Sequence, residues 1–306
     1  MTPKERRTMN YQQFVTILNE RMNQILNPVA TSQIHTALKN NGAKRTGLTI
    51  SQKETNISPT IYLEEYYHQY ENGWTLDEIT ESLTRLYHEV RFEHSWEVSQ
   101  VQNFHLAKSK VAYKVIHYEK NRDLLNDLPH VPYLDLAIVF YLLLETTEKG
   151  AATILITNDM LRYWDISLEQ LYQIALENTP IILHAEFKPM RVVIQELMHK
   201  PLCEADLEDN CMYVLSNHHR HFGAACMLYT RVLEDIGNQL GEDFYILPSS
   251  IHEVIILPVS CTMGQEEIDD MIVEINETQV SEEDVLSDHA YYYSRENNQL
   301  LMTNSL

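Results

Sequence analysis

Apolar residues recur at helical spacing early in the chain. Phe14, Ile17, Leu18, Met22 and Ile25 predict an amphipathic helix over residues 9–26 that ends before Asn27-Pro28. Residues 33–39 and 46–51 read as extended runs on either side of Asn40-Asn41-Gly42, a hairpin signal because Asn and Gly tolerate positive φ. Ser58-Pro59 reads as an N-cap followed by proline at the first helical position, predicting a helix through Tyr70 that stops at Gly73. Thr75 and Glu78 stand in capping-box spacing before Ile79, Leu83, Leu86, Tyr87 and Val90, which share one face. These two segments predict a helical hairpin in the N-terminal part.

Residues 111–118 fit either a strand or a helix, and the helix is preferred on the polar run that follows. Residues 133–144 are apolar except for Asp135 and rich in strand formers, which predicts a buried central strand with residues 152–157 returning as its hairpin partner. Asn158 can cap a short helix to Trp164. Ser167 and Gln170 form another capping box, ahead of a helix ending at Asn178 before Pro180, and residues 190–199 predict one more helix. Beyond them the chain reads strand (212–215), helix (222–240), strand (244–247), strand (253–259), helix (266–277) and strand (290–294). That is the element order of a ferredoxin-like unit. The fold class is therefore α+β, with mixed or antiparallel sheets and packed helices.

Charge divides the same chain differently. No lysine follows Lys200: residues 203–306 hold twenty Asp and Glu against Arg220, Arg231 and Arg295, and carry −17 of the total −21. The step places a soft boundary between residues 1–202 and 203–306, with one continuous body as the alternative. So acidic a field repels phosphate backbones and anionic membranes and attracts cations or basic protein surfaces, so no direct nucleic-acid or membrane binding is expected. The longest apolar run, 136–144, is about half of the roughly 20 residues a spanning helix needs. The opening MTPKERRTMN has the charge of a signal peptide but runs into a polar-interrupted amphipathic segment, so no secretory signal is read. Cys203, Cys211, Cys226 and Cys261 contain no C-x-x-C, and reduced, mostly buried thiols are expected, in keeping with a cytoplasmic protein.

Candidate chemistry is sparse. His218, His219 and His221, with Cys211 and Cys226 nearby in sequence, offer imidazole and thiolate donors, but neither a zinc knuckle nor a helical H-x-x-x-H occurs, and a polar loop is the favoured reading. Ser249, Ser250, His252 and Glu253 are residue types of nucleophilic catalysis, yet adjacent strand positions face opposite ways and no G-x-S-x-G elbow is present. Asp288-His289 beside Tyr291, Tyr292 and Tyr293 could make an acid–base pair, although alternation suits an ordinary half-buried strand. Between Glu266 and Asp288 there are ten acids and no base. In that helix Ile268, Met271, Ile272 and Ile275 should face a core, leaving Glu267, Asp270, Glu274 and Glu277 outward as a partner surface. No phosphate-binding, dinucleotide or EF-hand motif occurs, so no cofactor is implied.

The words KNNG (39–42), NISPTIYL (56–63), YEKN (118–121), PHVPYLDLAIVF (129–140), MYVLSN (212–217), FGAACMLY (222–229), LPSSIHEVI (247–255) and VLSDHAYYY (285–293) resemble domain of unknown function 5688, a bacterial family known from Gram-positive anaerobes. The resemblance covers nearly the whole chain. It implies a bacterial cytoplasmic origin and one family-length unit, and it carries no activity or site residue. The leading expectation is a non-enzymatic protein-binding module that offers an acidic, tyrosine-bearing surface to a basic partner, tyrosine outnumbering phenylalanine eighteen to seven. The rivals are a hydrolase or metal-assisted enzyme at 218–221 or 249–253, and a nucleic-acid mimic that binds a basic protein.

Overall fold

The structure is a computed structural model that describes residues 9–53, 55, 56, 58–91, 99–147, 150–198, 211–261 and 265–303. The chain divides into two compact units, Met1–Gln100 and Val101–Leu306. Each is mixed α and β, and the three sheets are antiparallel.

In the first unit, α1 (Tyr11–Leu26) is opened by a capping box between Asn10 and Gln13. It buries Phe14, Leu18 and Met22 against a sheet of β1 (Ala30–Leu38), β2 (Lys44–Gln52) and β3 (Thr60–Tyr62). The hairpin turn is the expected one: Asn41 (φ 59) and Gly42 (φ 75) both take left-handed backbone. The proline-initiated helix is corrected. Thr60–Tyr62 pair with β2 as a third strand, burying Ile61, and α2 (Glu64–Glu71) begins only after Leu63. The Ser58 hydroxyl bonds Ser51 instead of capping a helix. Helix α3 (Leu76–Val90) starts at the Thr75–Glu78 capping box, so the helical hairpin is present.

In the second unit, α4 (Ser99–Gln102), at the division, and α5 (Phe104–Ala107) lead into β4 (Val111–His117). This segment is a strand, not the preferred helix, because Val111, Tyr113, Val115 and Ile116 are all needed in cores on its two faces. After α6 (Arg122–Leu125) come β5 (His130–Tyr133), β6 (Leu136–Thr147) and β7 (Gly150–Leu155). The long apolar β6 is the buried centre of the sheet, paired with β4, β5 and its hairpin partner β7. Helices α7 (Asn158–Trp164) and α8 (Leu168–Ile182) follow, α8 carrying Pro180 in its last turn and so running past the expected end at Asn178.

A six-stranded sheet holds the rest: β8 (Ala185–Pro189), β9 (Tyr213–Asn217), β10 (Phe244–Leu247), β11 (Val254–Pro258), β12 (Tyr291–Ser294) and β13 (Gln299–Met302). Its helices are α9 (Met190–Met198), α10 (Val232–Leu240) and α11 (Gln265–Thr278). The strand order is β13-β12-β10-β11-β9-β8. The element order is as read, but β12 adds to β10, and β8 takes the edge beside β9 where a ferredoxin-like unit would place its last strand. The predicted helix over 222–240 is broken. Residues 223–228 form a buried 3₁₀ turn, and Arg231 at φ 70 separates it from α10. The charge step near residues 200–210 lies between β8 and β9, which pair directly, so residues 203 onward belong to the same unit as residues 101–202, and the division falls at 100/101. No helix among the described residues is long and apolar enough to cross a membrane.

Candidate functional site

Two short segments far apart in sequence meet at the end of β9. The first runs from Ser216 to Gly223, the second from Ser250 to Glu253. Asn217, buried, folds the first segment back on itself: its amide donates to the His221 carbonyl (2.8 Å) and its oxygen accepts from the His219 and His221 backbone (3.1 and 3.3 Å). The bend drives Arg220 (φ 51) and Phe222 (φ 56) into left-handed backbone, the kind of local strain that a surrounding structure must hold in place. Gly223 follows without room for a side chain, since a Cβ there would lie 2.1 Å from the Ser216 hydroxyl and 2.5 Å from the His252 carbonyl.

His252 joins the segments. Its Nδ1 accepts from the Phe222 backbone N–H (3.3 Å) and its Nε2 faces Asp284 at 3.3 Å, so the neutral tautomer with the proton on Nε2 satisfies both contacts. The Phe222 ring stacks against His252 and carries the Lys114 ammonium 4.0 Å from its centroid. His184 and His218 stack at 5° with ring centroids 3.9 Å apart, His219 is tilted by 43° against His218 at the same spacing, and Arg220 is held by Glu196 of α9 at 2.6 Å.

The local field disfavours positive charge on the inner imidazoles. Burial, with His252 and Lys114 nearby, pushes His221 down to about 4, and burial with its two histidine neighbours lowers His218. Burial raises the Glu253 carboxyl against the pull of His252 and Arg220. His221 is therefore a neutral imidazole at physiological pH, and the buried Nδ1 of His218 has no hydrogen-bond partner.

The structure thus unites His218, His219, His221, His252 and Glu253, which the sequence presented as two separate candidates. It does not build the serine hydrolase arrangement. The Ser250 hydroxyl accepts from the His252 backbone N–H, and both nitrogens of the ring are directed elsewhere. Among the described residues no group of three or more His, Cys, Asp or Glu is arranged to hold an ion, and faces stacked at 5° aim their in-plane lone pairs side by side, not at one point.

The cysteine reading is corrected. Cys211 and Cys261 form a disulfide with Cα atoms 5.8 Å apart, because the pairing of Ile256 with Tyr213 brings the start of β9 beside the end of β11. Cys226 is free and buried, its thiol pushed up to about 12 by burial, which makes it a poor ligand or nucleophile. Cys203 lies outside the described residues.

The Asp288 carboxylate is bound by donors from two other segments. Asp288 accepts from Lys120 (3.1 Å) and Asn276 (2.8 Å); burial would raise its carboxyl, but those two donors hold it below the usual range. The His289 backbone is bonded to Ser287. Tyr291 and Tyr293 point into the core and Tyr292 to the other face, as alternation requires. The Tyr291 hydroxyl and the Ser287 hydroxyl both donate to Asp135 at 2.6 Å. Of the eighteen tyrosines only Tyr163 is exposed; Tyr87, Tyr113, Tyr141, Tyr229, Tyr291 and Tyr293 are buried, and the rest are half-buried.

Of the four apolar residues read toward the core in the acidic helix, Ile268 and Ile272 are buried, whereas Met271 and Ile275 are half-buried. Ile268 and Ile272 of α11 pack with Leu247, Leu257 and Ala290, while Glu267, Asp270, Glu274 and Glu277 are exposed. Sequence reasoning missed Asn217, Asp284 and Lys114. Only the bend signal of Ser-Asn before His-His could have pointed to the first. Asp284 and Lys114 come from other elements and leave no local trace.

The chain belongs to the family of unknown function DUF5688, whose model matches residues 11–295. Comparison with curated proteins and with solved structures found no match.

Proposed function

We propose that this protein is a non-enzymatic binding module whose outer α11 face receives a basic protein surface. The observation that supports it is the division of α11: apolar residues are spent in the core, and Glu267, Asp270, Glu274 and Glu277 stand exposed on a helix with no basic residue. None of the four enters an ion pair among the described residues. Exposed charge of one sign steers association and is weakened by salt. Placement in the cytoplasm rests on the family resemblance. A Cys211–Cys261 bond that persists in protein taken from cells without reductant would move it to an oxidising compartment.

The test is capture from cell extract by wild type and by a variant with Glu267→Gln, Asp270→Asn, Glu274→Gln and Glu277→Gln. A basic protein retained by the first, released by salt and lost from the second supports the reading. If that protein binds nucleic acid and DNA competes for it, the acids act as phosphate mimics. Identical capture by both proteins removes the proposal.

A second reading, acid–base chemistry at the histidine cluster, is favoured by one observation: neutral His221 stands beside an aspartate-held His252. Turnover of ester, amide or phosphate test substrates that disappears in His221→Ala would establish it. No turnover across such a panel dismisses it.

A further inference from the structure

The three-stranded sheet ends in an edge that lacks the usual protection. Strand β1 pairs only with β2 among the described residues, in unbroken register from Ala30–Gln52 to Leu38–Lys44. Its sequence, ATSQIHTAL, contains no charge, proline or glycine, and it has no bulge, so the common devices that blunt an edge strand are missing. Because hydrogen bonding alternates along an antiparallel strand, the groups of Ser32, Ile34, Thr36 and Leu38 point away from β2.

One of these rungs is already filled. The Asn23 side chain imitates a neighbouring strand, its oxygen accepting from the Ser32 N–H (2.8 Å) and its amide donating to the Ser32 carbonyl (3.0 Å). The N-terminal end of α1 is tied elsewhere, to β2 and α2. There the Tyr11 hydroxyl reaches Glu64, whose carboxylate also accepts from the Thr46 backbone of β2. Among the described residues nothing pairs with Ile34, Thr36 and Leu38, which leaves a template of three rungs with Thr36 exposed and Leu38 65% exposed.

We propose that this edge pairs with the same edge of a second copy of the chain, antiparallel about a two-fold axis through Thr36. The window is self-complementary. Thr36 faces Thr36 of the second copy, and Ile34 faces Leu38, giving each exposed leucine an apolar cross-strand partner. Gln33 falls opposite Lys39, so no like charges meet, and the Asn23 clasp at Ser32 stops the pairing from extending further. Two three-stranded sheets become one of six strands, and an isologous contact of this kind closes at a dimer.

Mass by sedimentation or light scattering tests the proposal on the full chain. Wild type should shift with concentration from 35.8 kDa to twice that value. Thr36→Lys and Thr36→Glu alter an exposed side chain, so both should fold, as circular dichroism checks. Each places like charges face to face on the axis and should raise the dimer dissociation constant about fivefold or more. Mixing the two variants should restore the dimer, since lysine then faces glutamate. A wild type that stays monomeric at high micromolar concentration overturns the proposal. So do variants that dimerise as well as wild type, or a mixture no tighter than its components.

Discussion

The histidine cluster and helix α11 are two polar regions of the second unit, and the fold uses them in opposite ways. Around His252 the polar groups face inward and tie backbone to backbone: Asn217 holds the bend, His252 accepts from Phe222, and Ser216 donates to the His252 carbonyl at 2.7 Å. On α11 the carboxylates of Glu267, Asp270, Glu274 and Glu277 face solvent, and the apolar side does the packing. Residue types associated with catalysis are thus partly consumed in building a loop, whereas a plain row of acids is left available. Side-chain chemistry alone does not reveal which set is free; the direction of each hydrogen bond does.

The contrast breaks most visibly in the core beneath α11. Ile272, fully buried, should cost about 2 to 4 kcal/mol when replaced by alanine, read as a lowered midpoint in a denaturant melt. If the loss is under about 1 kcal/mol, the inner face does not carry the helix as argued.

Acid should act on the other region. His221 titrates at about 4 when folded against a usual 6.5, so the unfolded chain binds the additional proton between those values. Stability from this group is complete above pH 6.5 and is lost as pH falls through 4, by about 3 kcal/mol at most. His221→Gln should flatten that part of the pH dependence; an unchanged slope would show that His221 is solvated.

Gly223→Ala should cost about 1 to 3 kcal/mol, because the added methyl meets the Asn217 backbone together with the Ser216 hydroxyl and the His252 carbonyl, which are bonded to each other. A neutral result in the same melt would mean that the bend yields easily.

Legibility in the sequence follows the range of the interactions. The β1–β2 turn, the capping boxes at Thr75 and Ser167, the buried β6 and the two faces of α11 depend on neighbours a few residues away, and all were readable. Thr60–Tyr62 and Val111–His117 became strands because distant strands required them there, overriding a proline-based helix start and a polar flank. Arg231 interrupts an otherwise helical pattern through its left-handed backbone, which its residue type does not announce. The site divides in the same way. His218 to His221 and His252 were visible as letters, but their meeting depends on β9 lying beside β11, and Asp284 enters from a third segment.

The smallest expected effect on stability is the most informative about function. Asp270→Asn with Glu274→Gln should change stability by less than about 1 kcal/mol, since both side chains are exposed and surface charges contribute little to folding. The direct measurement is a titration of wild type and this double variant with a lysine-rich peptide at low and at physiological salt, on preparations whose denaturant melts have been matched. The account predicts equal melts, with binding by wild type that weakens in the variant and weakens again with salt. A variant that unfolds would make the outer acids structural. One that folds and binds the peptide as tightly as wild type would reduce them to a solvated face.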